Sequence, residues 1–559
     1  MKLVYNMVHD NPGEPHFSTS FNNPEKLKAY GFNGQVDKHI HTAVSYHSLS
    51  KDIFIYGSKE SEWLEAQQQK WKKLITAAKG EGLSIASHID LFVMPRKLVE
   101  RYQDELCYEG TLRIDYTKEK VYEIQRIMFQ ELFELFPDLD GFFVRLGETY
   151  LYDFPYHIGN GPSNKKDEYG GNIIPKDAYV KIIKFLREDV CEKYNKHVFI
   201  RTWDCFNDGF HANPKYYLDV TNQIEPHDRL FFSIKHTALD FWRRVRVNEC
   251  LGIGKHQQII EVQAQREYEG KGAYPCYVMD GVIDCFPENK VKKGLKDFMN
   301  HPLFRGVFIW ARGGGWYGPY IDEKREFWAD LNTYVISQYI SGDNNLSELE
   351  IFNRYLEEKL GIIDDEQKKF FREICQLSQE AILKGRYCEV YDSTLEEITL
   401  PVNLWMRDDR LGGKTRLKPV FEVIYQKDKV KEVLREKQEA IELWEQVKQL
   451  YEKIDIRDSY LKAFIGISIE YGFRLFSLVE AGWQVLINGF IGDKTGKYDI
   501  GIIKKWIKIF DERYKRYLQL GENDICPSLY QLNYFALPDE KEPGYGMGES
   551  IDYYRNMIK

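Results

Sequence analysis

The sequence predicts a (β/α)8 barrel, residues 1–340, followed by an all-α domain, residues 341–559. Three observations carry that expectation. Eight short apolar runs recur through the first 320 residues. Amphipathic stretches of helical period lie between most of them, and strand–helix alternation implies parallel strands joined by crossover helices. After Gln338 the pattern becomes almost entirely helical. Eight such units suit a closed barrel better than an open doubly wound sheet.

The runs are, in order, "LVYNMVH" from Leu3, "FNGQVDKHI" from Phe32, "LSIASHIDLF" from Leu83 and "GFFVRLGE" from Gly141. Then come "HVFIRTW" from His197, "LFFSIKHT" from Leu230, "QIIEVQAQ" from Gln258 and "RGVFIWAR" from Arg305. Between the third and fourth, Tyr116 to Phe136 puts Val121, Ile124, Ile127, Met128 and Leu132 on one helical stripe. "SGDNN" from Ser341 reads as a linker, and Ser347 with Glu350 forms a capping-box pattern that opens a helix. Further on, Ala440, Trp444, Val447, Tyr451 and Ile454 form another apolar stripe. Helices are also expected from Tyr460 to about Ile487 and from Ile502 to Leu520. A structural role is expected for this half, and its stripes are candidates for a homodimer contact.

Composition narrows the function classes. The chain has 559 residues, 43% of them hydrophobic, enough for two units with sizeable cores. Lys plus Arg total 77 against 86 for Asp plus Glu, a net charge of -9, and no basic stripe is visible. Nucleic acid is therefore not an expected partner, since phosphate contact needs clustered positive charge. No run reads as the roughly 18 apolar residues of a membrane span, so no membrane is expected. The start reads as a first strand rather than a signal peptide. Nine scattered cysteines contain no CxxC pair. Together these predict a cytoplasmic protein without a disulfide framework.

In barrels of this kind the reactive groups sit at the C-terminal ends of the strands. The second run ends in His39 and His41, the third in His88 and Asp90, the fourth in Arg145 and Glu148. The fifth gives Arg201, Trp203 and Asp204; the sixth Lys235, His236 and Asp240; the seventh Gln263, Gln265 and Glu267. The eighth gives Arg312, then "GGGWYG" with Trp316. One ion pair would explain one such end, but not seven. Glycoside hydrolysis uses a protonated carboxyl to donate to the leaving oxygen and an ionised one on the far side. Glu148, Asp240 and Glu267 are candidates for these roles. Arg145, Arg201 and Lys235 are more cations than a neutral sugar needs, and would suit a substrate that brings its own carboxylate. Trp203 and Trp316, with His41 and Arg312, are further candidates for substrate contact. For Trp310, inside a strand, core packing is the expected role.

In order along the chain, "GFFVRLGE", "FIRTW", "KHTALDF", "EVQAQREYEG" and "GGGWYGPY" resemble motifs of the α-glucuronidases of glycoside hydrolase family 67, over about Phe32 to Ile340. The resemblance implies Glu148 as general acid, Asp240 and Glu267 as the base carboxylates, and Arg145, Arg201 and Lys235 as uronate ligands. It implies an inverting exo-hydrolase that removes an α-linked glucuronic acid, or a related uronic acid, from an oligosaccharide, with no cofactor and no metal. Two features depart from the family. Its members carry a β domain before the barrel, whereas here the first strand starts at Leu3. Arg145 and Glu148 are also one residue closer than the family's pair. Both point to a divergent relative.

Two rival readings stand beside it. One is a glycosidase for a different sugar. The other is a metal-dependent barrel hydrolase: His39 and His41, alternating on one strand face, could ligate one ion, with His88, Lys235, His236 and Asp240 completing the site. "GGGWYG" formally matches a dinucleotide fingerprint but comes late and precedes Pro319, so a loop is expected there. "GGKT" at Gly412 lacks the first glycine of a P-loop.

Overall fold

The computed structural model describes residues 2–9, 17–149, 154–162, 165–166, 172–204, 209–314, 318–342, 346–395, 411–532 and 546–559. Eight parallel strands close a barrel: β1 (Leu3–His9), β2 (Gly34–Lys38), β3 (Ser84–Asp90), β4 (Gly141–Arg145), β5 (His197–Arg201), β6 (Leu230–Lys235), β7 (Gln257–Gln263) and β8 (Phe304–Gly313), with β8 pairing back to β1. Each falls within or one residue outside a predicted run. The helices α1 (Lys59–Gly80), α2 (Glu119–Leu135), α3 (Lys176–Leu186), α4 (Pro214–Thr221) and α5 (Phe327–Ser341) belong to the outer layer. On α2 the stripe residues Val121, Ile124, Met128 and Leu132 are fully buried, and Ile127 is partly buried at its edge.

Alternation along the strands fills the barrel. Tyr5, Met7, Val36, Ala86, Phe143, Phe199, Phe231, Ile259, Phe308 and Trp310 form a separate inner cluster. Phe143, Phe199 and Phe231 are register partners on neighbouring strands, and their rings stack at 4.3 and 4.8 Å. Trp310 tops this plug. Inward positions towards the C-terminal ends carry charge: Arg145, Arg201 and Glu261 directly after the inner cluster, and Asp90 and Lys235 one step beyond His88 and Ser233, each almost fully buried. An aromatic floor thus supports a polar layer at the barrel mouth.

The second half packs helices α6 (Asp365–Arg386), α7 (Lys414–Gln426), α8 (Val430–Tyr451), α9 (Ser459–Thr495), α10 (Ile500–Leu518) and α11 (Met547–Met557). The capping box at Ser347 and Glu350 is present. Ala440, Trp444 and Val447 of α8 are buried, whereas Ile454 lies beyond its end. One continuous apolar cluster joins the two halves. Tyr274 on the barrel side meets Trp444 and Phe476, and Trp328 Nε1 donates to Ser468 Oγ at 3.0 Å.

One expectation needs correcting. Helix α9 runs 37 residues and contains an 18-residue window of mean hydropathy 1.3, long and apolar enough to cross a membrane. That window is 83% buried within the protein, so it serves as the central helix of the second half. Packing on most sides keeps this stretch largely apolar, and buried Glu480 is paired with Arg513.

Candidate active site

The loop after β4 carries Glu148, half-buried, whose Oε2 accepts from Trp203 Nε1 at 3.1 Å. The Lys235 ammonium lies 3.5 Å from the centre of the Trp203 ring and 4.7 Å from that of Phe241. Lys235 also donates to Asp240 Oδ1 at 2.6 Å. Tyr268 donates its hydroxyl to Asp240 Oδ2 at 2.6 Å, and the Phe241 N–H donates to Asp240 Oδ1 at 3.1 Å. Glu148, Trp203, Lys235, Asp240 and Tyr268 therefore form one contact chain across four strand ends. Burial pushes the Asp240 carboxyl up, but the Lys235 charge and these hydrogen bonds outweigh it and hold the group below the usual range.

Glu267 sits on the loop after β7. Its Oε1 accepts from Gln263 Nε2 at 3.1 Å, and its backbone N–H donates to Gln263 Oε1 at 3.0 Å. Gly314 comes against it from β8. A Cβ on Gly314 would stand 2.4 Å from Gln263 Nε2 and 2.7 Å from Glu267 Oε2, and φ is +93°. The position admits only glycine without displacing the carboxylate.

The other two cations are engaged within the protein. Arg145 forks onto Asp90 through Nε at 2.6 Å and Nη2 at 2.7 Å. Arg201 forks onto Glu261 with both bonds at 2.9 Å, and its Nη1 meets His88 Nε2 at 3.1 Å. Arg is only a donor, so His88 Nε2 accepts and the ring is neutral with its proton on Nδ1. Burial, with Arg145 and Arg201 nearby, pushes the His88 pKa well down, consistent with that state. Glu261 is a member of the site that the strand-end survey overlooked. It lies inside β7, but Ile259, Glu261 and Gln263 share the inward face by strand period, which is the signal that would have found it.

Arg312 turns away from this chain. It donates to Gln265 at 3.1 Å, to Glu326 at 2.6 Å and to the Ile321 carbonyl, fastening the segment after the glycine loop. Trp316 lies outside the described residues. His39 and His41 do not alternate on a strand: β2 ends at Lys38, His39 has φ +70°, and Ile40–Ala43 form a 3₁₀ turn. Their rings are 5.5 Å apart. Burial pushes the His41 pKa down to about 3, so the ring is neutral. Among the described residues no group of three or more His, Cys, Asp or Glu is arranged to hold a metal ion.

A solved GH138 enzyme targeting pectin rhamnogalacturonan II is similar over 100% of this chain and 82% of its own, with a TM-score of 0.57 and 11% identity. That likeness shows the fold: a barrel with the helical region behind it. A mutant O-GlcNAc hydrolase from Thermobaculum terrenum covers 100% of this chain and 94% of its own, at a TM-score of 0.40 and 10% identity. Neither is a family 67 α-glucuronidase. No family model matches the chain, and no curated protein matches it.

Proposed function

We propose that the protein is a glycoside hydrolase whose site is the Glu148–Trp203–Lys235–Asp240 chain together with Glu267. The observation that carries this reading is the indole of Trp203, with Glu148 at its N–H and the Lys235–Asp240 pair on its face. It joins the Glu148 carboxyl on the loop after β4 to the Asp240 carboxylate on the loop after β6, and glycoside hydrolysis requires an acid and a base carboxyl. That a structural neighbour targets a pectic polysaccharide agrees with this class. In the reaction the Glu148 proton passes to the glycosidic oxygen as the C–O bond breaks and its electron pair stays on that oxygen. Water forms the new bond to the anomeric carbon from the other side, and its proton goes to the Asp240/Glu267 group. The acid ends ionised and the base protonated; solvent restores both.

For the sugar we propose an α-linked glucuronic acid or related uronic acid, released with inversion. The motif order supports it, as does Lys235, whose ammonium has two further N–H groups beyond the one given to Asp240. A second reading, a neutral sugar, is favoured by the pairing of Arg145 with Asp90 and Arg201 with Glu261, both nearly unexposed. A panel of uronic-acid-capped oligosaccharides and their neutral counterparts decides between them, with NMR following the anomer first released. Uronate-only turnover and a sharp loss of it in Lys235→Met support the acidic sugar. Turnover of neutral glycosides alone establishes the second reading. No turnover of any glycoside would overturn the class.

A further inference from the structure

The turn that carries Glu267 and Tyr268 is bracketed by two buried charges. Arg266 donates through Nε to Glu269 Oε2 at 2.6 Å, and both side chains are almost unexposed. Arg266 stands at φ +55°, a left-handed backbone that an arginine keeps only when its surroundings hold it there. The N–H groups of Glu269 and Lys271 both donate to the Arg266 carbonyl, at 3.1 and 3.2 Å. Glu267 and Tyr268, between the two charges, contact Gln263 and Asp240 instead. A third buried charge is Arg243, three residues past Asp240. It pairs with Glu269 at 3.7 Å and with Glu288 through Nε at 2.6 Å, and its guanidinium lies 4.1 Å from the centre of the Phe286 ring. The helical half holds it as well: Nη1 donates to Gln379 Oε1 on α6 at 3.3 Å, and the backbone N–H donates to the Tyr387 hydroxyl at 2.9 Å.

We infer that Arg243 is a positioning residue for the base end of the site: it clamps the loop bearing Asp240 to the turn bearing Glu267 and Tyr268, with the helical half as its anchor. The inference rests on the glycosidase reading and deepens it. The two loops meet twice. Tyr268 donates to Asp240 at 2.6 Å, with the Trp242 and Tyr268 rings 4.8 Å apart, and one residue further along each loop Arg243 pairs with Glu269. One contact leaves a pivot, whereas two fix both the separation and the angle of the carboxylates that are to act on one water. A guanidinium suits the task, because it holds five donors in one rigid plane and does not lose its charge. Arg243 directs them at three separate segments, through Glu269, Glu288 and Gln379. Arg244 adds a second tie, pairing with Glu389 and Asp392 of the helical half. The helical half therefore takes part in setting the site.

Arg243→Lys keeps the charge but cannot span three segments. It is expected to lower kcat on a sugar aglycone about 10²-fold while KM stays within about threefold. The pH–rate profile gives a reading that a purely structural arginine would not move. Against burial, Lys235 and then Tyr268 hold the Asp240 pKa down, so a slackened Tyr268–Asp240 contact moves the acidic limb, which reports the base, to higher pH. A double-mutant cycle completes the test: if both residues act through one clamp, Arg243→Lys costs little more once Tyr268→Phe is in place. Should Arg243→Lys not fold, Tyr387→Phe carries the same readings, since it removes only the hydroxyl that accepts from the Arg243 N–H; its loss in kcat should be smaller and of the same pattern. Unchanged kcat, an unmoved acidic limb, or losses that simply multiply in the cycle would each overturn the clamp. If the parent protein cleaves no glycoside, the glycosidase reading falls instead, and hydrogen exchange still decides the clamp. The Glu269 and Lys271 amides should exchange faster in the variant while those of α2 do not, and protection equal to the parent's would overturn the inference by itself.

Discussion

Replacing Glu148 with Gln removes a proton while leaving almost everything else in place. The Trp203 N–H needs only an acceptor, and the amide oxygen of Gln supplies one where Glu148 Oε2 now sits 3.1 Å away. The side chain is half-buried and of equal length, so substrate binding and fold should persist. What is lost is general-acid catalysis, typically worth about 10²–10⁴ in rate. At about 1.36 kcal/mol per factor of ten, that is about 2.7–5.4 kcal/mol of barrier. The assay is kcat for a homologous series of glycosides with leaving groups of rising acidity. The parent protein should show a shallow dependence and Glu148→Gln a steep one, with the two converging at the most acidic leaving group. KM should change little. Unaltered kcat on a sugar aglycone, or an equal loss across the series, would remove Glu148 from the acid role.

Three further outcomes follow from the same geometry. Gly314→Ala should lower kcat more than it raises KM, because the new methyl collides with Gln263 and Glu267 Oε2; steady-state kinetics on folded protein checks it. Asp90→Asn should cost about 3–5 kcal/mol in urea unfolding, since it leaves the Arg145 charge buried without its carboxylate; a loss under 1 kcal/mol would show that the pair is dispensable. Acid should destabilise the fold well above the carboxylate range. Burial pushes His41, His157, His211 and His236 down to about 3 from 6.5. Folded-state values below unfolded ones mean that the unfolded chain binds more protons, so stability is full above pH 6.5 and falls as pH drops from 6.5 towards 3. Each ring contributes on the order of 1–2 kcal/mol of loss by pH 5. Unfolding free energies that stay level between pH 7 and pH 5 would contradict this.

The barrel was legible because its strands are buried on both faces and so read as apolar runs. "GFFVR" and "HVFIR" end where β4 and β5 end, and the charge at each end marks the change from core to mouth. Dihedral detail was not legible. Nothing in "VDKHIHT" announces that His39 takes φ +70°, and that one residue separates the two histidines from the strand face they seemed to share. Burial was not legible either: the apolar window of α9 reads the same whether lipid or protein surrounds it.

The charges at the mouth show why membership of a site can be read from strand ends while roles cannot. Counting cations that follow apolar runs gave Arg145, Arg201 and Lys235, and a count of three unbalanced charges asks for an anionic substrate. The partners that balance them are Asp90 at the end of β3 and Asp240 five residues past Lys235, both visible at strand ends but not as partners, and Glu261 inside β7, which the strand ends do not show. Asp90 lies on the neighbouring strand, Asp240 on the following loop and Glu261 two strands away, so the pairing depends on register and loop path rather than on sequence order. Once paired, the two arginines become fixed dipoles of the pocket floor, and their charge is already met in the empty site. Lys235 differs because its partner is reinforced from behind by Tyr268 and its ammonium lies against an indole that itself holds Glu148. The chemistry of this mouth therefore turns on how each carboxylate is already held, Asp240 by a cation, a phenol and a backbone N–H, and Glu148 by an indole N–H.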